Sequence, residues 1–102
     1  MDINGYQIWT ADFDQEIEER TLTLGLVGEA GEFAEKIKKK YCITLFIPEP
    51  KELAKELGEI LWYVARLAAY YGFSMTQIMA LNVEKLESRR ARGKLQGEGD
   101  NR

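Results

Sequence analysis

Two stretches decide how this chain folds: LTLGLVGEAGEFAEKIKKK, residues 22–40, and ELGEILWYVARLAAYY, residues 56–71. In the first, Leu22, Leu26, Ala30, Phe33 and Ile37 recur at the intervals of a helix, predicting one long helix from about Glu16 or Thr21 to Lys40. Its closing Lys36, Lys38, Lys39 and Lys40 complement the negative helix end and read as a solvated terminus. In the second, Leu57, Ile60, Val64, Leu67 and Tyr71 continue a seam begun at Leu53, on a helix running from Pro50 to about Tyr71. Gly72 suits the position just past its end. Ser74 and Gln77 then carry capping-box spacing for a third long helix reaching about Arg90.

Residues 1–14 form an aromatic-rich lead-in (Tyr6, Trp9, Phe13), expected to hold a short helix. Tyr41 to Ile47 reads as an apolar connector folded onto the core, or as a subunit contact, before Pro48 and Pro50. The tail from Arg92 is Gly-rich and charged, a composition that normally signals disorder, and is expected here to be held in place. The expected fold is all-α: one domain over residues 1–102, a helical bundle of three long helices plus a short N-terminal one. A chain of 102 residues buries a modest share of its surface, so assembly as a homo-oligomer is expected.

Composition excludes several functions. A net charge of −3 argues against wrapping a nucleic acid polymer. No run of about 18 apolar residues supports a membrane span, and the N-terminus lacks a basic and apolar leader, so a cytoplasmic location is the default. The chain has no histidine and one cysteine, Cys42. That removes His-based acid–base chemistry, Ser-His and Cys-His nucleophiles, an internal disulfide and a conventional zinc site. Carboxylates and a hard cation must carry any catalysis.

Glu29 and Glu32 lie three apart on the first helix, beside its apolar stripe, and Glu56 and Glu59 repeat that spacing on the second. Tyr63 continues the second line. Read by spacing alone, these glutamates are either surface salt-bridge partners or a convergent cluster. A convergent cluster repels itself and calls for a cation, and ligands that are all oxygen select Mg²⁺ or Mn²⁺. Glu16 with Glu19, and the single Glu35 and Glu52, read as solvated charges.

Gly25, Gly28 and Gly31 each cost a helix about 1 kcal/mol relative to alanine. Such a row calls for the close approach of a backbone or bulky ligand, unless it breaks the helix into a loop. On the third helix Asn82, Lys85 and Arg89 share one face, apart from a core side of Met75, Met79 and Leu86. Two cations and an amide in line suit polyphosphate oxygens, or form a solvated face.

The segment Leu24-Gly-Leu-Val-Gly-Glu-Ala-Gly-Glu32, followed after 23 residues by Glu56-Leu-Gly-Glu-Ile-Leu-Trp-Tyr63, closely resembles the MazG-like all-α nucleotide pyrophosphohydrolases. Their motif is ExxE, a spacer and ExxD; Glu59 stands here where the family usually has Asp. Asn82 to Arg89 resembles the family's Asn, Lys and Arg segment, and Gly97 to Arg102 the ending of its short phage-like members. The resemblance implies hydrolysis of an NTP or dNTP to the monophosphate and pyrophosphate. Glu29, Glu32, Glu56 and Glu59 would hold Mg²⁺ while a carboxylate- or metal-activated water attacks the α-phosphorus; the resemblance leaves open which glutamate is the base, with Glu32 a candidate. Lys85 and Arg89 would stabilise phosphate charge and Asn82 would orient it. Gln7, Trp9 and Tyr63, with Trp62 beside it, are the candidate contacts to the nucleoside, Trp9 and Trp62 being equally readable as core packing, and a homodimer or homotetramer is implied. Two other readings share these features: a phosphoribosyl-ATP pyrophosphohydrolase, and a silent nucleotide-binding or protein-interaction module.

Overall fold

The computed structural model describes residues 1–42 and 46–93 and contains four α-helices and one short 3₁₀ turn among them. Helix α1 spans Ile3–Thr10, α2 Glu19–Cys42, α3 Pro50–Tyr70 and α4 Met75–Ala91, with the 3₁₀ turn Ala11–Phe13 closing α1. The all-α expectation holds. Helix α2 runs unbroken through Gly25, Gly28 and Gly31, so these glycines do not open a loop. Ile43–Leu45 of the connector, and the tail beyond Gly93, lie outside the described residues, and with them the readings placed there.

Local chemistry sets the boundaries. Asp2 caps α1, its Oδ1 accepting from the Gly5 amide at 2.7 Å. Pro50 takes the first turn of α3, where its missing N–H costs nothing. That helix ends in a Schellman turn: the Phe73 amide donates to Ala68 O at 2.9 Å and the Gly72 amide to Ala69 O at 3.0 Å. Gly72 there has φ +83, a left-handed conformation that disfavours any side chain. The capping box is complete, with Gln77 N donating to Ser74 Oγ at 3.1 Å and Ser74 N to Gln77 Oε1 at 2.8 Å.

Helix α3 is the central element. It packs along α2 on one side, while α1 and the first turns of α4 lie elsewhere against it. Ala65 and Ala68 of α3 meet Met75 of α4 in a small core, flanked by Ile3, Tyr6, Leu61, Val64 and Ile78. One buried and one partly buried polar residue tie these elements together. Gln7 Nε2 donates to Ala65 O at 3.2 Å and to Phe73 O at 2.9 Å, and its Oε1 accepts from Met75 N at 3.1 Å. Arg66 binds Asp14 Oδ2 at 2.8 Å, Thr10 Oγ1 at 3.0 Å and Gln7 O at 3.2 Å.

Two packing expectations need correction. The apolar seam of α3 is only partly covered, because Leu57 and Tyr71 stay more than half exposed. Met79 and Leu86 do not enter a core: α4 is exposed from Met79 to Ser88 and has no substantial contact with α2. The physical reason is a shortage of covering elements. The radius of gyration is 16.5 Å, against about 13 Å for a compact chain of this length, in keeping with α4 standing off α2 while α2 and α3 stay packed together.

Gly25 has a definite partner. A Cβ there would sit 2.2 Å from Tyr63 Cε1 and 2.4 Å from Cζ, so the tyrosine ring lies directly on the α2 backbone. Gly28 and Gly31 face nothing within 4 Å. Gly25→Ala should therefore lower the melting temperature by an amount equivalent to about 1–3 kcal/mol, the usual cost of overpacking. Gly28→Ala should leave stability unchanged or raise it by up to about 1 kcal/mol through helix propensity. Thermal melts in which the two substitutions behave alike would show that the ring contact is not what demands glycine at 25.

Candidate metal centre

Helices α2 and α3 face each other through two stripes at matching spacing. On α2 the stripe is Leu22, Gly25, Glu29, Glu32 and Lys36; on α3, running the other way, it is Tyr70, Arg66, Tyr63, Glu59 and Glu56. At one end Leu22 adjoins Arg66, Ala69 and Tyr70 around an open cleft of about 410 Å³, with Asp14, Glu16, Ile17 and Glu18 on its rim. In the middle Tyr63 covers Gly25. At the other end the carboxylates meet.

There, one oxygen from each of Glu29, Glu32 and Glu56 lies within 4.8 Å of the other two. Among the described residues this is the group close enough to share one metal ion. Glu32 is exposed, while Glu29 and Glu56 are partly buried. Glu59 is exposed, one turn further along the stripe, and outside that group of three. Its charge still reaches Glu29 on α2 and Tyr6 on α1.

Lys36 closes the cluster. Its Nζ lies 2.8 Å from Glu56 Oε1, with the two side chains only 30% and 14% exposed. Glu56 Oε2 is buried and receives no hydrogen bond. A buried acceptor lacking a donor is costly, and a cation is a suitable missing partner. The residues thus fit a small hard cation, being oxygen ligands with one orphaned lone-pair set. Lys36 was read from sequence as part of a solvated terminus, and this is a correction. The signal was present, since Lys36 stands four residues after Glu32 and seven after Glu29.

The charges perturb one another in opposite directions. Burial holds Glu29 above the ordinary carboxylate range, and the charges of Glu32, Glu59 and Glu56 add to the effect. The hydrogen bond from Lys36 draws Glu56 below it, against the opposing effect of burial. Lys36 is raised by that same bond. At the cleft, Asp14 is also lowered: burial pushes it up, but the Ile17 amide and Arg66 together outweigh this. Arg66, missed from the sequence, was detectable as an arginine inside an apolar run, which needs a partner when buried.

The remaining expected contacts fall in different places. Gln7 is buried, its amide donating to Ala65 O and Phe73 O and accepting from Met75 N, so in this chain it serves to tie α1 to α3 and α4. Trp9 is 44% exposed, stacked on Tyr6 at 5.8 Å and tilted against Phe13 at 4.7 Å. Tyr63 borders the carboxylates and meets Trp62 edge-on at 5.0 Å. Asn82 and Lys85 are exposed on the projecting part of α4 and Arg89 is buried near its end. Helix α4 as a whole has no substantial contact with α2, which carries Glu29 and Glu32.

Comparison with known proteins accords with this geometry. Residues 17–93 match the MazG nucleotide pyrophosphohydrolase domain. The chain is 44% identical over 84 residues to the Gene 37 protein of Mycobacterium phage L5, covering 79% of this chain and 74% of that protein. No solved structure matches.

The opposed shifts of Glu29 and Glu56 predict separate pH windows for the metal-free protein. A carboxyl raised in the folded state favours folding below its ordinary value of 4.5, and that contribution is lost as pH rises through the raised value. The lowered Glu56 contributes above 4.5 and loses its contribution as pH falls through the depressed value. Relative to Glu29→Gln, the wild type should lose melting temperature as pH rises above 4.5. Relative to Glu56→Gln it should lose it as pH falls below 4.5. Parallel curves for all three proteins would show that the carboxylates do not interact as placed.

Proposed function

Because the chain belongs to the MazG nucleotide pyrophosphohydrolase family, we propose that it hydrolyses a nucleoside or deoxynucleoside triphosphate to the monophosphate and pyrophosphate. Mg²⁺, or Mn²⁺ in its place, would be held by Glu29, Glu32 and Glu56, with Glu59 completing the set. The observation that carries this reading is the meeting of three carboxylates within 4.8 Å, one of them with a buried, unpartnered oxygen.

A divalent cation bound there supplies charge neutralisation for the triphosphate and lowers the pKa of a coordinated water. The chain's own groups do the rest. Glu32, the exposed member of the three, is the carboxylate that solvent reaches and is assigned the proton of the attacking water. As the water oxygen bonds to the α-phosphorus, the bond to the bridging α–β oxygen breaks and pyrophosphate leaves. The aromatic group of Trp9, Tyr6 and Phe13 is assigned to present a face for the base.

Lys85 and Asn82 are assigned to the phosphates, with Arg89 buried on the same helix. Since α4 projects from its own chain, we place this contact in a homodimer or homotetramer. Support comes from Leu24 and Val27 on α2 and Val83 and Leu86 on α4, all exposed apolar residues. A second reading rests on Glu59, which stands outside the close group: a chain that binds nucleotides and turns them over slowly or not at all.

Pyrophosphate release measured across the canonical NTPs, dNTPs and phosphoribosyl-ATP with Mg²⁺ tests the assignment. Glu56→Gln should lower kcat/KM by roughly 10²-fold or more, the scale for losing a group that stabilises the transition state, with helical content retained. Glu59→Asp separates the two readings. A large rise from negligible turnover marks a lapsed enzyme, whereas robust wild-type turnover dismisses the silent module. No pyrophosphate from any triphosphate, in either protein, would refute the hydrolase.

A further inference from the structure

Lys36 and Glu56 share the carboxylate cluster in a way that sets a role for the lysine. The ammonium engages Glu56 Oε1 at 2.8 Å and leaves Oε2 buried without a hydrogen bond. The two oxygens of one carboxylate are therefore already divided, one fixed to α2 and one unused. We propose that Lys36 is a positioning residue for the metal, pinning Glu56 by one oxygen so that the other is presented to a divalent cation shared with Glu29 and Glu32.

The competing possibility is that Lys36 stands where the cation goes and must leave before it can bind. Charge and geometry oppose that. The four glutamates carry four negative charges, and a lysine with one divalent ion neutralises three, so both cations fit within a site that stays negative. The lysine also feels the charges of Glu52 and Glu32 in addition to Glu56, so its attraction to the cluster does not rest on one oxygen alone. No single atom is claimed twice. Partners of metal-ligating carboxylates fix ligand orientation in this way, and losing one weakens metal affinity by about 10- to 100-fold.

This inference rests on the metal reading, and Mg²⁺ titration by calorimetry distinguishes their failures. The full-length wild type should bind Mg²⁺ saturably. Lys36→Met should bind it roughly 10-fold or more weakly and show a smaller rise in melting temperature on adding Mg²⁺. Lys36→Arg, which keeps a charged donor, should recover most of the affinity, an outcome that a merely structural lysine would not require. If Lys36→Met binds Mg²⁺ as tightly as wild type or more tightly, the lysine is a bystander or a competitor and the proposal is overturned. If the wild type itself shows no saturable binding, the metal reading falls and this inference falls with it. Circular dichroism on each variant confirms that the helices are intact.

Discussion

Mutual repulsion among the carboxylates on α2 and α3 is the constraint around which this molecule is arranged. Glu29, Glu32 and Glu56 come within 4.8 Å of one another, and Glu59 adds its charge from one turn away. A protein could relieve such crowding by splaying the helices. Here they stay together, because Lys36 offsets one charge from within the stripe and Tyr63 locks onto the bare backbone at Gly25. The ring contact lies one turn from Glu29 on α2 and from Glu59 on α3. Packing thus fixes the helix separation at which the carboxylates must meet.

That division of labour explains an otherwise sparse interior. Leu22, Ala65, Ala68 and Met75 are the buried apolar residues among those described, too few to hold four helices by hydrophobic burial alone. Directed polar contacts assist. Gln7 stitches α1 to the end of α3 and the start of α4, and Arg66 joins α3 to the α1–α2 turn through Asp14. These buried groups demand specific partners, so they fix the order of the elements more sharply than small apolar side chains would.

The uncovered surfaces complete the picture. Helix α4 exposes apolar residues together with Asn82 and Lys85, while Arg89 of the same stripe is buried. None of the described helices is long and apolar enough to cross a membrane, so lipid spanning does not account for that exposure. Gly28 and Gly31, next in sequence to Glu29 and Glu32, leave open backbone on α2 with nothing within 4 Å of a Cβ at either.

Helix number, helix limits and the carboxylate pairs were legible in the sequence because each is a local property. Heptad-like spacing, Pro50 at a first turn, Gly72 past an end and the Ser74 with Gln77 box act over four to seven residues, and all appear where expected. The family motif was legible for the same reason. Contacts between elements were not. That Lys36 would turn inward to Glu56, that Gly25 would answer to Tyr63 while Gly28 answers to nothing, and that Gln7 would be consumed by backbone groups depend on how helices far apart in sequence are juxtaposed. Helical periodicity places a residue on a face, but the packing angle and register between two helices determine what that face meets.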